Sequence, residues 1–226
     1  MEQDERRVVE LLRNKGLIAK EFSSEEKITS KTPDFRVFKG NEFVFFCEVK
    51  SVAEDKWLKN QVQKAPPGTI VGKPRNDPKF NRVSNKIHEA AAQFNSVNIN
   101  RDFPNVLAFV NKDHWCKTKY LEWVLTGNFH SDNGNFHHIF KKYSRGRISK
   151  EKQLIDAYIW MNVEDDQPID EFYLFCPSDS RFSPKIAGLF SLTYEVCESE
   201  KSILRWWPVQ NIENLKTTSS RYGYLK

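Results

Sequence analysis

Nothing in this sequence is long and apolar enough to cross a membrane: no hydrophobic run approaches the roughly 20 residues that a spanning helix needs. The N-terminus, MEQDERRVVELL, is acidic and amphipathic and lacks a signal-peptide pattern. A cytoplasmic protein with no membrane partner is therefore the expectation. Cysteine is scarce. Cys47, Cys116, Cys176 and Cys197 are scattered, with no CxxC and no Cys/His pair at zinc spacing. That argues against a structural zinc site and for buried free thiols in a reducing compartment. There is no Gly-rich phosphate loop and no Ser/His/Asp elbow. Internal repeats, low-complexity tracts and convincing linkers are absent as well.

What is present is a chain of 226 residues with 39% hydrophobic and 29% charged residues, globular rather than disordered. Aromatics reach 13%, including 17 Phe and 6 Trp, which suits a sheet-rich core. The net charge of +5 permits a polyanionic partner without requiring one.

Val8, Leu11, Leu12 and Lys15 follow helical spacing, so residues 5–15 predict an amphipathic helix that stops at Gly16. A polar stretch, SSEEKITSKT, follows. Residues 33–38 and 43–51 predict two strands around the turn Lys39-Gly40-Asn41. In the second strand, Phe43, Phe45, Cys47 and Val49 are expected on one face and Val44, Phe46, Glu48 and Lys50 on the other. Both faces begin apolar, which marks a central strand. Residues 52–82 read as loop with a short helix near 56–63, and residues 83–96 as a second helix. The run NVLAFVN, residues 105–111, predicts a buried strand. Residues 115–125 read as helical and 127–150 as irregular. Further strands are expected at 157–163, 171–176 and, in the less legible C-terminal part, 189–196. The sum is one elaborated α/β domain over residues 1–226.

The informative segment is TPDFRVFKGNEFVFFCEVKS, residues 32–51. If the chain turns over at residues 39–41, Asp34 falls opposite the 46–48 region, and Glu48 and Lys50 project from one face. Two carboxylates a few ångströms apart suit a hard divalent cation that keeps several waters. Such a cation polarises a phosphodiester and lowers the pKa of a bound water. An adjacent ammonium orients that water or helps its deprotonation, and stabilises developing charge.

Pro33-Asp34 and Glu48-Val49-Lys50 resemble the two halves of the motif that defines the PD-(D/E)xK nuclease superfamily, the restriction-endonuclease-like fold. The resemblance covers about residues 1–112, with residues 113–226 as elaboration. It implies a central mixed sheet flanked by helices. It also implies Asp34, Glu48 and Lys50 as the catalytic set, and the Val49 carbonyl as a further ligand for magnesium or manganese. The helix ERRVVELLRNKG resembles that of the Mrr-like and Holliday-junction-resolvase-like branches, which implies Glu5 as a third acid facing inward. NKIHEAAAQF resembles the family's downstream helix, with Gln93 and Lys86 as accessory residues. The RecB-like branch has Tyr four residues after its Gln, where this chain has Val97. The implied activity is hydrolysis of nucleic-acid phosphodiesters, DNA above all, with a homodimer if duplexes are cut symmetrically. A non-cleaving nucleic-acid-binding scaffold is the alternative.

Two basic clusters could track a phosphate backbone or simply be solvated: residues 56–86, with Lys56, Lys59, Lys64, Lys73, Arg75, Lys79, Arg82 and Lys86, and residues 141–150. His130, His137 and His138 have no recognisable ligand spacing. Trp206-Trp207 reads as core or packing edge rather than a stacking platform.

Overall fold

The computed structural model describes residues 1–53, 56–71, 78–113, 116, 118–126, 128–130, 136–138, 148, 150–163, 172–177, 180–190 and 204–209. In chain order the elements are α1 (Gln3–Asn14), β1 (Ile18–Glu21), α2 (Ser24–Thr29), β2 (Phe35–Lys39), β3 (Glu42–Val52), α3 (Lys56–Lys64) and α4 (Pro78–Val97). They continue as β4 (Asn105–Asn111), α5 (Thr118–Thr126), β5 (Asn128–His130), β6 (Phe136–His138), β7 (Ala157–Asn162), β8 (Phe172–Pro177), α6 (Ser183–Leu189) and β9 (Leu204–Val209). One mixed sheet in the order β1-β2-β3-β4-β7-β8-β9 carries all the strands except β5 and β6, which pair with each other. The β3, β4 and β7 strands are parallel and the outer pairings antiparallel. The class is α/β, as the sequence predicts.

Each face of the sheet has its own core. On one, Val8, Leu11 and Leu12 of α1 and Ile186 of α6 pack on Phe45, Cys47, Val49 and Val106. On the other, Val83, Ile87 and Phe94 of α4 and Leu121 of α5 pack on Phe46, Leu107, Phe109 and Trp160. The central strand β4 is buried at all seven positions, which is why residues 106–110 read as an unbroken apolar run between Asn105 and Asn111. Rings such as Phe45, Phe94 and Phe109 are fully buried, and each contributes about 1.5–3 kcal/mol of transfer free energy.

The hairpin β2–β3 turns through Gly40-Asn41, with Lys39 paired to Glu42. Gly40 has φ of 61°. A left-handed glycine at the first central position is the signature of a type II′ turn, whose twist matches the flanking strands. The register then slips between Val37 and Phe38: Phe38 pairs Phe43 but Val37 pairs Phe45, so Val44 is the extra residue of a bulge. The bulge corrects the expected facing near the turn. Phe43 lies on the α4 side with Phe46, while Val44 joins Phe45, Cys47 and Val49 on the α1 side. Beyond the bulge the alternation is as expected, so Glu48 and Lys50 share the α4 side.

Other differences are local. The polar stretch SSEEKITSKT contains a helix that was not expected, α2, opened by Ser23 and Glu26 in a reciprocal capping box. The chain enters α4 at Pro78, five residues before the expected start. Leu189 ends a helix, α6, rather than beginning a strand, because Pro184 opens that helix at its first turn; residues 191–196 lie outside the described set. The strand β9 was not expected; Trp206 and Trp207 lie on its backbone, paired to Phe175 and Leu174. Cys47, Cys116 and Cys176 are free and buried, and Cys197 lies outside the described residues. Among the described residues no helix is long and apolar enough to cross a membrane.

Candidate functional site

The β2–β3 ladder stops at Phe35 and Cys47. Pro33 explains the stop: it has no N–H to donate. One step further, Asp34 and Glu48 stand opposite each other and complete the ladder with their side chains. The Asp34 N–H donates to Glu48 Oε2 at 3.0 Å, and the Val49 N–H donates to Asp34 Oδ2 at 2.7 Å. Each carboxylate thus takes the place of a missing backbone carbonyl, which fixes both acids to within a hydrogen bond of the same two strands. In an extended strand a residue's N–H and C=O point to the same edge. The Val49 carbonyl therefore faces the Asp34 edge too.

Lys50 extends beside this pair. Its Nζ lies 2.7 Å from Glu48 Oε1 and donates to Gln93 Oε1 at 2.9 Å. The other end of the Gln93 amide donates to the Thr32 carbonyl at 3.1 Å. Gln93 is thus a strut from α4 that holds Lys50 on one side and the strand entry on the other. Burial is deep: the Glu48 side chain is 2% exposed and that of Lys50 14%.

Two acids and one ammonium leave a net negative charge in a partly dry setting. Burial, reinforced by the Asp34 charge and opposed by Lys50, pushes Glu48 up to about 7. Burial also raises Asp34, against the pull of the Val49 N–H and Lys50. Carboxylates raised in this way gain from a cation that offsets their mutual repulsion. Among the described residues no group of three or more His, Cys, Asp or Glu is arranged to hold a metal ion. Magnesium, however, is satisfied by one or two carboxylates with waters completing the octahedron. The donor set of Asp34, Glu48 and the Val49 carbonyl is all hard oxygen and fits that requirement.

The other expected residues divide. Gln93 reaches the site. Lys86 does so only at one remove: it pairs with Glu89 at 3.2 Å, and Glu89 stands 3.7 Å from Lys50. The reading of the sequence missed Glu89, although it lies one helical turn before Gln93 on the same face. Glu5 is not the inward acid of α1. Its Oε2 accepts the Glu2 N–H at 2.7 Å, capping the helix. The buried acid is Asp4, whose Oδ2 accepts from Ser51 Oγ and lies 2.7 Å from Lys112 Nζ. Four residues before Val8, Asp4 sits on the buried stripe of Val8, Leu11 and Leu12, while Glu5 flanks it. Ser51 alternates with Lys50, so Asp4 meets β3 on the face opposite the Glu48–Lys50 pair.

Of the first basic cluster, Arg82 is a structural tie, bound to the Ala53 carbonyl and Asp113 at 2.8 Å each. Lys73 and Arg75 lie outside the described residues, as do residues 141–147 of the second. The side chains of His130, His137 and His138, on β5 and β6, are likewise outside the described set. An open cleft of about 600 Å³ adjoins Asp34 and Gln93, walled by residues 27–33.

No family model matches this chain, and no curated protein or solved structure is significantly similar to it.

Proposed function

We propose that the chain is a magnesium- or manganese-dependent nuclease of the PD-(D/E)xK type, with a restriction-endonuclease-like fold, that hydrolyses phosphodiesters of nucleic acid, DNA above all. The observation that carries this reading is the Asp34–Glu48–Lys50 constellation. Two acids are cross-bonded at the open end of a hairpin ladder, with an ammonium 2.7 Å from one of them. The order of elements supports it: a helix, the acid-bearing hairpin, then a helix and a strand parallel to the hairpin's second strand.

Asp34, Glu48 and the Val49 carbonyl would hold the cation. When bound, it supplies Lewis-acid activation of the phosphodiester and of a water. Lys50, as an ammonium, would orient the attacking water and offset charge on the phosphorane, and would take up that water's proton only by passing one of its own to a neighbouring acceptor. Gln93 keeps Lys50 aimed by accepting from its Nζ. Glu89, half exposed and 3.7 Å from Lys50, offers a route for that proton to solvent. Symmetric cutting of duplexes would call for a homodimer.

The test is incubation of linear, circular, single-stranded and branched DNA with manganese, using wild-type protein and Lys50→Ala. Loss of the ammonium should slow cutting by about 10²–10⁴-fold while DNA binding persists. Binding without cutting in the wild type would instead establish the non-cleaving scaffold. Equal cutting by both proteins would place the activity elsewhere.

A further inference from the structure

The cleft beside Asp34 has a chemical character that the nuclease reading does not by itself supply. Its lining combines the hydroxyls of Thr29, Ser30 and Thr32 and the ammonium groups of Lys27 and Lys31 with Ile28, Pro33, the Gln93 amide and, at its inner end, the Asp34 carboxylate; no aromatic ring is among these residues. Single-strand binders that grip bases do so with stacking platforms, and none lines this cleft among the described residues. Base edges are read by free amides and guanidinium forks. The one amide in the cleft, Gln93, is bonded at both ends. The Thr29 hydroxyl is turned back onto the Glu25 and Glu26 carbonyls.

Of the two cations in the wall, Lys27 is paired to Glu21 at 3.0 Å. Lys31 is exposed and has no ion-pair partner among the described residues. Its backbone is not loose. The Lys31 carbonyl accepts from Ser96 Oγ at 2.7 Å, and the next carbonyl, Thr32, accepts from Gln93. Two bonds from one face of α4 thus fix the backbone that carries the Lys31 ammonium, three residues before Asp34 and without an ion-pair partner among the described residues. The same Gln93 ties that lip to Lys50.

We propose that this cleft seats the sugar-phosphate backbone of the polynucleotide without reading its bases, and that Lys31 contacts a phosphate flanking the one that is cut. The inference rests on the nuclease reading for its substrate class and deepens it: the substrate is a polynucleotide recognised here by charge, so this part of the site imposes no sequence preference.

The test measures binding apart from cutting. Anisotropy titrations with two mixed-sequence DNA oligonucleotides, each as single strand and as duplex, are run in EDTA over a series of KCl concentrations. Wild type is compared with Lys31→Ala, Lys31→Arg and Lys185→Ala, the last an exposed lysine of α6 on the opposite face. Lys31→Ala should lose about 0.7 of the log–log salt slope on single strands, or about 0.9 on duplex, one phosphate's worth. The loss should be the same on both sequences. Lys31→Arg should keep the wild-type slope, and so should Lys185→Ala. An unchanged slope in Lys31→Ala overturns the proposal, and so does a loss confined to one sequence. A wild type that binds neither oligonucleotide also overturns it. Should the slope change appear but wild type fail to cut with manganese present, the nuclease reading falls and the phosphate-binding cleft stands.

Discussion

Two carboxylate centres are buried in the same sheet, and they are built on opposite principles. Asp156, just before β7, is fully buried yet saturated with donors. Its Oδ1 accepts from Arg101 and Ser180 at 2.6 Å each, and its Oδ2 from the Asn105 N–H at 2.9 Å. One negative charge faces one positive charge. At the hairpin, Asp34 and Glu48 share a single Lys50, with Glu89 a further acid nearby. A satisfied buried charge pins structure, here the start of β7 to the start of β4. An under-compensated pair is costly to a fold that has no use for it. Charge balance therefore separates the two centres: one acid to one cation at Asp156, two acids to one ammonium at the hairpin, where the proposed cation would restore the balance.

The contrast is sharpest in what removing each acid does. Asp156→Ala strands Arg101 and the Asn105 N–H. It should cost about 3–5 kcal/mol of stability, read as a fall in the denaturation midpoint that magnesium does not reverse.

The next effect concerns pH. Glu48 is raised to about 7 in the fold from an ordinary 4.5. The folded protein therefore keeps a proton that the unfolded chain has lost between those values. By linkage, stability falls as pH rises through that window, by about 3 kcal/mol in the absence of metal. Glu48→Gln should flatten this decline and be at least as stable as wild type above it. Metal affinity should run the other way, rising with pH as Glu48 loses its proton to solvent and its carboxylate becomes free to bind the ion. Denaturation curves on either side of the window, with and without magnesium, check both slopes. A wild type whose stability is flat across the window would break the comparison.

The smallest effect belongs to the strut. Gln93→Ala should cost about 1 kcal/mol of stability. It should lower kcat more than it raises KM, because Lys50 loses its aim while the acids remain. Single-turnover kinetics beside a melting curve separate the two.

How much of this was legible beforehand follows from where the signal is local. Asp34, Glu48 and Lys50 could be named because an apolar strand that turns charged at its end is unusual in any sequence, and because Gly40 fixes a tight turn. The strands at 105–111 and 157–162 announce themselves by composition. The bulge at Val44 gave no sign, since it lies in a run, FVFF, whose residues suit either face equally. The resemblance implies Glu5, one turn before Val8-Val9, but a one-residue shift on a helix turns a side chain by about 100°, and it is Asp4 that shares the buried face with Val8, Leu11 and Leu12. The α2 helix could have been read from Ser23-x-x-Glu26 but is too short to show periodicity. Glu89 became visible only when the sheet placed Lys50 beneath α4.

The most direct measurement is a calorimetric titration of magnesium and of manganese into the protein, above the pH at which Glu48 titrates, beside Asp34→Asn. One ion should bind the wild type with release of protons that diminishes as pH is raised, and binding should be lost in the variant. Equal binding by both proteins, or none by the wild type even with DNA present, would contradict a cation centre at the open end of the hairpin.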